Sequence, residues 1–228
     1  MQRLKDPRGV IYSPGYKKIS FWAKIVAVLI ALAFAVNCYI YLNSHFAKII
    51  SGTSMYPTLN AQYSSQKDIV LCNKFAKVER GDIVIINTKQ LSYFDARGTK
   101  LLVKRVIALG GDKLKLVHND TTGNNEVWLN GEKITEDYIA PDTSEGIINT
   151  YNAQTNWITK CPQDADGYIT IPEGKCFFLG DNRNGSLDSR YVGPLDNARV
   201  LGVVDKIIYD RTIWHDIVAT LLQFDLDF

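Results

Sequence analysis

A mainly β protein behind one membrane-spanning helix is the architecture this sequence predicts: an N-terminal transmembrane helix, then a β-rich domain with a small inserted subdomain. Three observations predict it. An almost unbroken apolar run, Ile25 to Leu42, follows a basic leader. Beyond it, short β-branched and aromatic runs alternate with Gly, Asn and Asp turn signals and show no internal repeat. Between those strands lies one long polar stretch, about Glu136 to Gly167, without periodicity.

The first 24 residues carry Arg3, Lys5, Arg8, Lys17, Lys18 and Lys24 against Asp6 alone. At 1.5 Å per residue, the apolar run is about 27 Å long, close to the thickness of the bilayer's hydrocarbon layer. Trp22, Tyr39 and Tyr41 lie near its ends, where amphipathic rings favour the interface. The basic flank puts the N-terminus in the cytoplasm by the positive-inside rule. The reading is therefore a cytoplasmic basic segment (1–24), an anchor (25–42) and an extracytoplasmic domain (43–228), with an insert over about 118–167. A buried core helix and a cleaved signal peptide compete with the anchor. Ala33-Phe34-Ala35 has the small-x-small form of a cleavage site, but the apolar run continues seven residues past it.

Strands are expected at Asp68–Cys72, at Asp82–Ile86 (a continuous β-branched run suited to burial on both faces) and at Leu101–Leu109 before Gly110-Gly111-Asp112. Lys113–Val117 alternates and should be half buried. Val127–Leu129, Asn130-Gly131 and Glu132–Ile134 spell a hairpin, because Asn-Gly tolerates the positive φ of a type I′ turn. Tyr168–Ile171, Cys176–Leu179 and Val200–Tyr209 complete the set. Trp214, Ile217, Val218, Leu221 and Leu222 give the tail an amphipathic helical pattern. Cys38 and Cys72 read as small hydrophobes, and the spacing of Cys161 and Cys176 permits a disulfide that geometry must decide.

Net charge is +2, and Lys and Arg form no basic stripe in the body, so nucleic acid is not an expected partner. The three histidines, His45, His118 and His215, are scattered. There is no Gly-x-Ser-x-Gly elbow and no His/Cys/Asp cluster at metal-ligand spacing, so neither a metal nor a cofactor is expected.

Chemistry concentrates in three segments. Ser54 stands in Ser51-Gly52-Thr53-Ser54-Met55-Tyr56-Pro57-Thr58-Leu59, twelve residues after the anchor. Pro57 restricts the backbone beside it, and Gly52 permits close approach; an ordinary Gly-Ser/Thr-Pro turn has the same composition. Lys104 shares a strand face with Leu102, Val106 and Ala108, all apolar. A lysine so placed must pair, reach water by snorkelling, or give up its proton and serve as a base. The third segment, Gly180 to Arg190, follows an apolar strand and contains Asp181, Arg183, Asp188 and Arg190, material for charge-assisted pairs. It also offers Ser186 or Ser189 as a hydroxyl to set against the lysine amine; a solvated loop is the plain alternative.

Together with Arg80-Gly81-Asp82-Ile83-Val84 and the run from Lys104 to Asp112, these segments make four ordered blocks. In them the chain resembles bacterial type I signal peptidases, membrane-bound Ser-Lys endopeptidases. The resemblance implies a signal-peptidase-like catalytic domain, with Ser54 as nucleophile, Lys104 as general base and Ser186 as the hydroxyl that orients the lysine. It implies supporting positions at Asp181, Asp188, Arg190 and Arg105. It also implies cleavage after small residues at −3 and −1, and signal peptides of exported preproteins and the lipid bilayer as partners, at the plasma or inner membrane. Two positions depart from the common pattern. Gly52 replaces a serine that assists the oxyanion in many members, leaving that task to backbone N–H groups. Gly110 replaces a proline, so the turn after the lysine strand is expected to be less rigid. Substrate pockets are expected near Ile49–Gly52 and Asp68–Lys74. Competing readings are a peptidase dedicated to a restricted set of exported or pilus proteins, a soluble self-cleaving Ser-Lys repressor, and a non-enzymatic membrane-tethered β domain.

Overall fold

The structure, a computed structural model, describes residues 20–60, 67–96, 98–119, 124–139, 161–183 and 185–208. The basic leader up to residue 19, the core of the polar stretch (140–160) and the amphipathic tail lie outside the described residues. The chain divides into two compact units, 1–43 and 44–228.

The first unit contains one helix, α1 (Phe21–Ser44), long and apolar enough to cross a membrane and without a buried residue. It extends four residues before and two after the run read from composition. Ser20 caps it, its Oγ accepting from Ala23 N at 3.2 Å. Asn37, the polar residue that interrupts the apolar run, donates its amide to the Ala33 carbonyl at 2.9 Å. That bond satisfies one donor within the helix, which lowers the cost of an amide in hydrocarbon.

The second unit is built on two antiparallel sheets. Its strands are β1 (His45–Ile49), β2 (Ile69–Asn73), β3 (Ile83–Asn87), β4 (Leu101–Leu109), β5 (Lys113–Asn119), β6 (Asn124–Leu129), β7 (Glu132–Lys133), β8 (Ile169–Thr170), β9 (Lys175–Leu179), β10 (Leu195–Asp196) and β11 (Val200–Ile208). Seven form the larger sheet in the order β1-β2-β11-β3-β4-β9-β10, and four the smaller in the order β7-β6-β5-β8. The strand expectations hold to within two residues except at β6, which begins three residues before the expected Val127. At the β6–β7 hairpin, Asn130 (φ 55°) and Gly131 (φ 94°) adopt the left-handed conformations that a type I′ turn requires.

Strand β3 is buried on both faces, as its β-branched run requires: Val84 and Ile86 pack with Leu102, Val106 and Phe178, while Ile83 and Ile85 pack with Met55, Leu59 and Val70. A third cluster joins β9 to the smaller sheet through Phe177 and Leu179 against Leu114 and Val127. The expected alternation along β4 fails at its end. The β4–β9 register shifts between Val106 and Ala108, so Ile107 and Ala108 enter the same cluster instead of opposite faces. A bulge inserts one residue and thereby reverses the side-chain phase.

Strand β1 is absent from the expectations because His45–Ile49 continues directly from α1 in sequence and has neither a flanking turn nor a fully buried face. All four cysteines are free thiols, so no Cys161–Cys176 bridge forms. Cys176 is buried, and desolvation pushes its thiol up to about 11.

Candidate active site

Lys104 sits at the centre of β4, between β3 and β9, where it pairs with Val84. Only 2% of it is exposed, which makes it one of the largest fully covered side chains in the described structure. Its Nζ lies 2.6 Å from Ser54 Oγ and donates to the neighbouring Val103 carbonyl at 2.9 Å. Burial drives its pKa down to about 8; the carboxylates of Asp188 and Asp181 oppose that fall and the Arg190 charge adds to it. The snorkelling alternative is thereby removed.

Ser54 is half-buried in a turn closed by Tyr56 N donating to the Thr53 carbonyl (3.0 Å) and Leu59 N to the Met55 carbonyl (2.9 Å). Met55 and Leu59 anchor the turn in the core beneath β3. The segment ahead of the serine is held by Asn60, whose amide donates to the Ile50 and Gly52 carbonyls at 3.0 and 2.9 Å. Asn60 itself takes a left-handed φ of 56° and exchanges hydrogen bonds with Asp68. Sequence inspection passes over this residue, although Asn in a Pro-containing turn is a recognisable candidate for that conformation. Gly52 has open space where a Cβ would stand, so sterics do not demand glycine there.

The Gly180–Arg190 loop closes over the pair. Asn182 N donates to the Ser54 carbonyl (3.1 Å) and its side-chain amide to the Thr53 carbonyl (3.2 Å). A Cβ on Gly180 would fall onto both the Ser54 carbonyl and the Ser186 side chain, so only glycine fits where these groups converge. Ser186 Oγ is buried and makes no well-formed hydrogen bond, yet it faces Asp188 closely enough to favour that carboxylate's charge. No Ser186 hydrogen bond to Lys104 is formed. Ser189, the other candidate, instead accepts from Phe178 N at 3.0 Å and ties the loop back to β9.

The charged positions are paired. Arg105, opposite Leu179 in the β4–β9 register, reaches Asp181 two residues on with both arms of its guanidinium (2.9 and 2.6 Å). Asp181 also accepts from Thr58 Oγ1 at 2.5 Å, which clamps the far side of the serine turn. Arg190, wholly buried, donates to both Asp188 oxygens (2.8 and 2.9 Å) and to the Arg183 carbonyl (2.8 Å). Burial works against the Asp188 charge, but Arg190, Ser186 and the Gly180 N–H together outweigh it and hold the carboxyl below its usual range. The Arg80–Asp112 ion pair joins the second block to the turn after β4. At that turn a Cβ on Gly110 would meet Glu173 Cα at 2.8 Å and the Gly174 nitrogen and Pro172 carbonyl at 3.0 Å. Glycine here permits close backbone packing, where the sequence suggested only a looser turn.

Among the described residues no cluster of three or more His, Cys, Asp or Glu is arranged to hold a metal ion. A buried amine with a depressed pKa, touching a serine hydroxyl in a pre-formed turn, has the constituents of a nucleophile and its base.

Comparison with known proteins identifies the family. The family model described as "Signal peptidase, peptidase S26" matches residues 20–209. The chain is 28% identical to signal peptidase I S of Bacillus subtilis (strain 168) over 85% of this chain and 90% of that protein. It is 30% identical to a signal peptidase I of Bacillus amyloliquefaciens over 87% of this chain and 88% of that one. Among solved structures, a signal peptidase I from Enterococcus faecalis V583 shares 30% identity, with a TM-score of 0.38 over 57% of this chain and 97% of that one. The chain thus belongs to the signal peptidase family, peptidase S26, and is a serine endopeptidase.

Proposed function

We propose that this protein removes signal peptides from exported preproteins with a Ser54–Lys104 dyad, cleaving after small residues at −3 and −1. The observation that carries the dyad is the 2.6 Å approach of Lys104 Nζ to Ser54 Oγ inside a buried, apolar setting. Neutral Lys104 keeps one N–H on the Val103 carbonyl and turns its lone pair to the serine hydroxyl. As Ser54 Oγ bonds to the scissile carbonyl carbon, its proton passes to Nζ. The tetrahedral oxyanion is held by backbone N–H donors, chiefly that of Ser54, since Gly52 brings no hydroxyl. Collapse breaks the C–N bond, and Nζ returns the proton to the leaving amine. Water, deprotonated by the same amine, then attacks the acyl ester, and Ser54 recovers its proton.

Substrate in extended form adds as a strand beside the residues before Ser54, with backbone hydrogen bonds supplying affinity and alternate side chains entering shallow pockets. Asp181, Asp188, Arg190 and Arg105 hold the loop, and Ser186, packed with Gly180 beside the Ser54 carbonyl, is the hydroxyl that the family resemblance sets against the amine. Residues 25–42 anchor the enzyme, with 1–24 in the cytoplasm and 43–228 outside; the apolar helix Phe21–Ser44 supports the anchor, and the basic leader supports the orientation. The test is cleavage of a purified preprotein by Ser54→Ala and Lys104→Ala proteins of unchanged circular dichroism. Each is expected to lose about 10³-fold or more in kcat. A well-folded Lys104→Ala protein at full rate removes the dyad from consideration.

A further inference from the structure

Glu136 and Tyr138 open the polar stretch that sequence inspection assigns to an inserted loop, yet their side chains run into the charge network of the site. The Arg183 guanidinium is fully buried and bound by both oxygens of Glu136: Nη1 donates to Oε2 at 3.1 Å and Nη2 to Oε1. Only 10% of the Glu136 side chain is exposed. Arg183 Nε donates to the Gly180 carbonyl at 3.1 Å. Gly180 is the residue packed against the Ser54 carbonyl and Ser186, and its N–H is held by Asp188 at 3.1 Å. The Tyr138 hydroxyl donates to Glu136 at 2.8 Å, while its ring lies 4.0 Å beneath the guanidinium of Arg105. Arg105 in turn grips Asp181 and the Gly81 carbonyl. Arg105, which holds Asp181, and Arg183, which holds Gly180, are therefore both tied to one pair of residues two apart, Glu136 and Tyr138.

We infer that Glu136 is a positioning residue for the reaction, acting through Arg183 on Gly180 and, with Tyr138, steadying Arg105. This rests on the dyad reading above. Three guanidiniums, those of Arg105, Arg183 and Arg190, each have an acid: Asp181, Glu136 and Asp188. Without Glu136, a buried Arg183 loses its carboxylate and turns toward water or toward another acid, and the Gly180 carbonyl loses its donor. A shift of an ångström at Gly180 displaces the Ser54 carbonyl and hence the angle at which Oγ meets its target. The substrate strand proposed above runs beside the residues before Ser54, so its ground-state binding is expected to change little.

The experiment measures kcat and KM on a preprotein peptide for full-length Glu136→Gln, Glu136→Asp and Tyr138→Phe, with Ser54→Ala in parallel. Glu136→Gln is expected to lower kcat about 10- to 100-fold with KM within about twofold. Glu136→Asp, which keeps the charge, recovers part of the loss. Tyr138→Phe, which keeps the ring and removes one hydrogen bond, gives a smaller loss of the same kind and serves if Glu136→Gln does not fold. Unchanged kcat in either folded variant overturns the inference, as does a rise in KM alone or an aspartate variant no better than glutamine. An active Ser54→Ala protein overturns the dyad reading instead, so the two failures are distinguishable.

Discussion

At the scale of single residues, the proposed chemistry depends on Lys104, whose charge state is set by where it is buried. Its pKa of about 8 leaves roughly a tenth of the amine neutral at pH 7. Since the neutral form is the proposed base, kcat/KM is expected to climb through an acid limb centred near 8; a profile flat from about pH 6 to 9 contradicts the role. The same shift has a sign for stability. The folded pKa lies below the 10.5 of an exposed lysine, so the unfolded chain binds the extra proton. That unfavourable contribution is full below pH 8 and disappears as pH rises past 10.5. Lys104→Met is therefore expected to abolish cleavage while raising stability by roughly 1–3 kcal/mol at pH 7, a gain that shrinks toward pH 10.5. Urea unfolding at the two pH values measures it, and a variant less stable at pH 7 refutes it. The buried lysine was legible from its apolar neighbours on the strand. Asn60 and Gly180 were not, because their importance comes from contacts across 8 and 126 residues respectively, to Asp68 and Ser54.

Among elements, β4 and the turn after it do most to join the two sheets to the site. Its run of nine residues was readable because β-branched side chains and a closing Gly-Gly-Asp bound it on the page of sequence. The bulge at Ile107 was not, since a phase reversal leaves no trace in composition and appears only in pairing with β9. Gly110 is the instructive case. On propensity alone, a proline at this turn is a stabilising change. The backbone of Pro172–Gly174 occupies the space a side chain needs. Gly110→Pro is thus expected to lower stability by about 1–3 kcal/mol, readable as a reduced thermal midpoint; a raised midpoint contradicts the packing argument.

At the scale of the whole molecule, a 24-residue helix without a buried side chain precedes a β body whose charges are paired inside. Such an apolar surface is tolerable in lipid and not in water. The full chain is expected to stay in the membrane pellet through a high-salt, alkaline wash, and its appearance in the supernatant contradicts a spanning helix. The apolar helix and the β body were legible as separate segments because their compositions differ.

Taken alone, the sequence determined the apolar helix and most of the strands and brought Ser54 and Lys104 forward as candidates, for these depend on local periodicity and on residue type. Tertiary structure decided which charges meet. The pairing of Arg183 with Glu136, the convergence of Gly180 on Ser54 and the absence of a Cys161–Cys176 bridge depend on distances between segments far apart in the chain. Such distances are fixed by packing and register, and no local pattern of residues encodes them.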